Sequence, residues 1–237
     1  MPMRRRLTPL GLMVSLASAG CGASDSGNGP SVYAGAYPVI SAPPSPGDTP
    51  VTWAPSGKPL GPLRPYPGKG SKVTGTVVDK AAGLSYAKLG SPWQPKKGIG
   101  SHTGGLEYEI RKPKFSWLAG AYSAPLLSKY DQPVAAAGAN RLRAAAELSA
   151  GDVVFGEDDK LVPFAGAAIK VGGHKAWLAG YHEHISDPYD GVAERTVIMI
   201  AVDTGRTHPG IFEISIAKPA YRLLPDITAL IKTLKPV

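Results

Sequence analysis

The feature that most limits what this chain can fold into is a change of composition near Lys72. From Gly22 to about Lys72 the chain is crowded with Pro, Gly and Ser, including Pro43-Pro44-Ser45-Pro46 and four more prolines from Pro59 to Pro67. Apolar residues there follow neither the helical nor the strand period. Such a stretch buries too little apolar surface to offset its ordering entropy, and its prolines favour extended polyproline backbone. A core is therefore expected only in residues 73–237, as one domain behind a disordered tether at 21–72. Fully extended, fifty such residues would span on the order of 150 Å at about 3.1 Å each. Tyr33, Tyr37, Trp53 and Tyr66 interrupt the tether. They read as a docking motif or as aromatics that lie against the domain.

The first twenty residues read as an export signal. Arg4, Arg5 and Arg6 form a positive cluster, an uncharged stretch runs from Leu7 to Gly20, and small residues precede Cys21. That is the layout of a secretory signal. The stretch is shorter than the roughly 20 apolar residues a spanning helix needs. Ala19-Gly20-Cys21 resembles the end of a lipobox, with Ser18 standing where the pattern has Leu. An ordinary cut after Ala17-Ser18-Ala19 is the alternative. Cys21 is the single cysteine, without a disulfide partner in the chain. Acylation of its thiol would make the protein a lipoprotein held at the extracytoplasmic face of the cell membrane, since several acyl chains anchor far better than one.

Losing residues 1–20 removes three positive charges and no acid from a formal +8, leaving +5. Local basic clusters are limited to Lys96-Lys97 and Arg111-Lys112-Pro113-Lys114. Such a surface is drawn to anionic lipid or wall polymer. An envelope protein or an anionic wall polymer is the expected partner, and nucleic acid does not suit the compartment.

Within the domain, strands are expected at Lys72–Val78, Leu106–Ile110, Ala168–Val171, Lys175–Ile185, Arg195–Val202 and Gly210–Ile216, with further extended pieces at Gly83–Trp93 and Ala121–Leu127. Leu106–Ile110 alternates as a half-buried strand does. Val197–Val202 is apolar on both faces and should run through the sheet centre. Gly172-Gly173 and Asp187-Pro188-Tyr189-Asp190-Gly191 supply turns. Pro133–Ser149, rich in Ala and other helix formers, predicts a helix leaving at Gly151. Ile227, Leu230, Ile231 and Leu234 predict a second, over Asp226–Leu234 after Pro225. The class is α+β, a curved antiparallel sheet with helices packed on it.

The phrases Gly83-Leu84-Ser85-Tyr86 and Gly90-Ser91-Pro92-Trp93, the Ala-rich helix, three long strands and the closing Leu224-Pro225-Asp226-Ile227 to Pro236-Val237 together resemble the PsbP-like superfamily, including the LpqN-like lipoproteins of high-GC Gram-positive bacteria. The resemblance covers roughly residues 73–237 and implies an α/β/α sandwich. It implies mostly binding modules, and a fold says little about function by itself.

Chemistry is sparse. His182-Glu183-His184 on a strand would place both imidazoles on one face about 7 Å apart. A zinc site would need a third ligand, with His174, Asp203 or His208 as candidates. The alternative is two surface histidines on a solvated face. Glu157-Asp158-Asp159 reads as a solvated turn. No Gly-x-Ser-x-Gly elbow occurs, and Gly98–Gly105 lacks the Lys-Ser/Thr ending of a phosphate loop. No catalytic residue and no cofactor are assigned, and the ligand-binding residues stay unknown. Trp93 and Trp177 are expected in the core, while Trp117 looks loop-borne. The expected function is a non-catalytic binding or assembly module. A small-ligand or metal site, hydrolytic at most, on the His182/His184 face is the alternative.

Overall fold

A computed structural model describes residues 57–97, 102–110, 116–127, 140–151, 159–189 and 192–237. Cys21, Tyr33, Tyr37, Trp53, the Arg111–Lys114 cluster, Glu157 and Asp158, and the Pro133 start of the first helix lie outside the described residues. Ten strands, two α-helices and one 3-10 helix are described. They are β1 (Val73–Asp79), β2 (Leu84–Leu89), β3 (Gln94–Lys96), β4 (Gly104–Ile110), β5 (Ser116–Pro125), α1 (Arg141–Gly151), β6 (Lys160–Val171), β7 (His174–Tyr189), β8 (Val192–Val202), β9 (Gly210–Ala217), a 3-10 helix (Lys218–Leu223), α2 (Leu224–Thr233) and β10 (Lys235–Pro236). None of these helices is long and apolar enough to cross a membrane.

The strands form two antiparallel sheets, one of three strands in the order β1-β2-β10 and one of seven in the order β3-β4-β5-β9-β8-β7-β6. The fold class is thus the expected α+β. The longest hairpin, β6–β7, closes through Gly172 and Gly173 at φ 54° and 86°, the paired left-handed turn that matches strand twist. β8 lies between β7 and β9 and is buried from Val197 to Val202, as its two-sided apolarity predicts.

Each face of the large sheet is covered differently. On one face Leu178, Ile198, Ile200, Phe212 and Ile214 share a core with Leu84 and Tyr86 of β2 and Ile227 and Leu230 of α2. On the other, Ala179, Val197, Met199, Ala201 and Ile211 meet Ala144, Ala145, Ala146 and Ala150 of α1. Those methyl-sized side chains let α1 sit close to the strands.

Several expectations are corrected. Trp117 is in β5, not in a loop, and β6 begins at Lys160, not Ala168. Trp93, by contrast, is the core residue it was expected to be. Trp177 is only half-buried, beneath Arg143, whose guanidinium lies 5.3 Å from the ring centroid. The small three-stranded sheet was not expected, because β10 is two residues long and pairs with β2 across most of the domain.

The end of the expected tether is also different. Residues 57–72 run along the domain. Gly61 and Gly166 exchange backbone hydrogen bonds of 3.1 and 2.9 Å, and Arg143 Nη2 donates to the Gly57 carbonyl at 2.8 Å. Leu63 and Tyr66 pack on the first core, and burial beside Tyr221 pushes the Tyr66 phenol up from its ordinary pKa. A proline-rich segment without periodicity forms no element of its own, yet a few apolar side chains suffice to lay it on another.

Candidate functional site

The two histidines singled out by spacing do share a face of β7. His182 stands opposite Thr196 of β8 and His184 opposite Glu194. The His182 ring is stacked on Phe164, with centroids 4.4 Å apart and planes at 24°, and its Nδ1 lies 3.5 Å from Thr196 Oγ1. Burial, then the neighbouring His184, lowers the His182 pKa, against a smaller upward pull from Glu194. A lowered imidazole pKa favours the neutral ring, the form that ligates metals.

The third ligand does not converge. His174 lies eight residues along the same strand, roughly 26 Å away at the strand rise, where its Nδ1 sits 3.1 Å from the Asp203 carbonyl oxygen. Asp203 Oδ1 accepts from the Gly205 amide at 3.1 Å, and His208 belongs to the same distant loop. Glu194 is held by Lys218 at 2.9 Å, which lowers its carboxyl pKa. Among the described residues no group of three or more His, Cys, Asp or Glu side chains gathers for a metal ion. Glu183 points to the opposite face, where it is fully buried and ion-paired with Arg195.

A larger polar array lies on that opposite face, and spacing did not reveal it. Glu213 of β9 meets His102 at 3.1 Å. The His102 ring packs on Tyr122 of β5 with centroids 4.7 Å apart. Tyr122 donates its hydroxyl proton to Glu107 of β4 at 2.5 Å and accepts from Trp117 Nε1 at 3.0 Å. Lys96 of β3 bridges two carboxylates, 2.8 Å from Glu107 and 3.0 Å from Glu109. Burial outweighs Lys96 and Tyr122 and raises the Glu107 pKa, and the two carboxylates together raise that of Lys96.

Glycines make room for this array. A methyl group on Gly120 would lie 2.2 Å from the Tyr122 ring, and one on Gly105 2.5 Å from it. The ring therefore lies flat across two bare strand positions. Glu107 and Glu109 were expected on the wet side of a half-buried strand. Glu107 is instead 2% exposed, because the alternation fixes which face a residue takes but not whether that face is covered. The polar–glycine–aromatic pattern of Gly104 to Tyr108 and Gly120 to Tyr122 is the one sequence signal for the array.

Two further buried carboxylates tie segments together. Asp79 Oδ1 accepts the amides of Ala81 and Ala82 at 3.0 and 3.1 Å, turning β1 into β2. Its Oδ2 accepts Thr103 and Ser123 hydroxyls at 2.6 and 2.7 Å. Asp226, in the first turn of α2, accepts Trp93 Nε1 and Ser71 Oγ, both at 2.8 Å, and the Ser71 amide.

No protein-family model and no curated protein matches the chain. Among solved structures, the solution structure of cyanobacterial PsbP (CyanoP) from Synechocystis sp. PCC 6803 is similar to it at 13% identity and a TM-score of 0.41, over 75% of this chain and 100% of that one.

Proposed function

We propose that this chain is a lipid-anchored binding or assembly module at the extracytoplasmic face of the cell membrane, with no catalytic step of its own. The observation that carries the reading is how the sheet uses its ionisable side chains. Glu107 and Glu109 with Lys96, and Glu183 with Arg195, are engaged across neighbouring strands, and Glu213 meets His102 just before β4. Asp79 and Asp226 are occupied in holding turns and segments. Side chains spent this way rigidify a scaffold and suit a surface presented to a partner. The Arg4–Arg6 cluster, the uncharged stretch and Cys21 support export and acylation. Envelope protein is the favoured partner class, since a Pro-, Gly- and Ser-rich spacer behind an anchored Cys21 would let the domain reach across the wall layer.

Fractionation of cells making Cys21→Ala tests the anchor, with release into the medium expected. Retention in the membrane fraction would place the anchor elsewhere. Photocrosslinking in intact cells tests the role and should trap one dominant protein. Turnover of an envelope substrate by the purified chain, with no trapped partner, would overturn it.

A further inference from the structure

The two sheets have four edges, and three of them are blunted. β3 is three residues long and contains Pro95. β10 is two residues long and ends in Pro236. β6 carries Pro163, shifts register between Pro163 and Ala165, and is bridged at Gly166 by Gly61. Short length, proline, irregular register and a covering segment are the devices by which proteins keep a sheet edge from recruiting another strand.

The fourth edge is β1, and among the described residues no further strand or bridge lies along it. Its sequence, Val-Thr-Gly-Thr-Val-Val-Asp, holds no proline and no cation, and its β-branched residues favour extended backbone. After one irregularity between Val73 and Gly75 it pairs with β2 in unbroken register to Asp79. Among the described residues it pairs with no other strand. Residues 73–76 are exposed, as is Val78, and Val73 and Val78 keep 49% and 56% of their surface in water. Asp79, its one acid, is turned inward onto Thr103 and Ser123.

The charge around this edge has one sign. Lys72 precedes β1, Lys80 follows it, and Lys88 stands opposite Gly75 on β2. None of the three has an acidic partner among the described residues. A second copy pairing antiparallel through Thr76 would set Lys72 against Lys80, and like charges opposed across strands destabilise.

We propose that β1 is a docking edge that takes up an extended, acidic peptide segment of a partner protein as a fourth strand. Backbone hydrogen bonds along Gly75–Val78 supply affinity, in the manner of strand addition. Lys72, Lys80 and Lys88 select carboxylate-bearing side chains, and the exposed Val78 offers an apolar contact. The proposal rests on the reading of the chain as a binding module and gives that reading a surface.

The test uses the full chain in mild detergent and three labelled heptapeptides. One alternates Glu with Val, one replaces each Glu by Lys, and one is the Glu peptide with alternate amides N-methylated. Fluorescence anisotropy should show saturable binding of the Glu peptide, with the Lys and N-methylated peptides at least tenfold weaker. Amide NMR shifts should centre on Gly75–Val78. Lys72→Glu with Lys80→Glu, both at exposed positions, should invert the preference between the Glu and Lys peptides. Equal binding of the N-methylated peptide, an unchanged preference in the double variant, or no binding by any peptide would overturn the proposal. So would self-association through β1 in sedimentation, or the same amide shifts produced by phosphatidylglycerol vesicles. A single crosslinked partner in cells with no peptide binding would sink the edge alone. Peptide binding with no partner in cells would count against the module reading alone.

Discussion

At the scale of single residues, the chain's most consequential choices are its buried charges. Glu183 is 0% and Arg195 3% exposed, and they oppose each other on β7 and β8. Removing one member of such a pair strands the other in a dry environment. Arg195→Leu is therefore expected to cost about 3–5 kcal/mol, whereas Arg195→Leu combined with Glu183→Leu should recover much of that loss. Urea denaturation of both variants checks the ordering, and a single variant no worse than the double would show that the pair bears no buried charge. The sequence did indicate that Glu183 faces away from His182 and His184, by parity alone. It gave no sign of Arg195 as partner, because the pairing depends on β7–β8 register.

Elements were legible where a pattern was both long and bounded. β9 was read within one residue of its observed limits and β8 to its end at Val202, because each is an apolar-rich run closed by a turn, whereas β7 runs on to Tyr189 through Asp187 and Pro188, where turn chemistry was expected. The first helix was also read, although Gly151, expected just past its end, is still within it. The β5 start was missed because Trp117 follows a basic, proline-containing stretch that resembles a loop. α2 shows how an element's end can have a role that periodicity hides. Asp226 looks like an ordinary first-turn acid, favourable to the helix dipole, but it is 0% exposed. It also fastens Trp93 of the turn after β2 and Ser71 of the leading segment. Asp226→Ala should cost about 2–3 kcal/mol, since it leaves buried donors unsatisfied, and Ser71→Ala about 0.5–1.5 kcal/mol. Thermal melts in which the two are equal would mean that Trp93 draws nothing from the carboxylate.

On the scale of the whole molecule, composition and core do not share a boundary. Lys72 is where hydrophobic patterning begins, but the packed structure includes residues 57–72. That segment joins β6 through Gly61, the first core through Leu63 and Tyr66, and α2 through Ser71. Its contribution is made by a few side chains and backbone bonds, too sparse to register as a period and visible only when the surfaces they meet are known. A chain beginning at residue 73 would expose the core beneath Leu63 and Tyr66 and leave Asp226 with Trp93 alone. At about 25 cal/mol per Å² of apolar surface plus the lost hydrogen bonds, it should be less stable by about 2–4 kcal/mol than a chain beginning at residue 57. Because β2 and α2 share one core with β7, β8 and β9, both chains should still unfold in one transition that coincides by far-UV and near-UV circular dichroism. Equal urea midpoints would reduce the segment to an ornament on the surface. Separate transitions would mean that the small sheet and the large one are held by different cores.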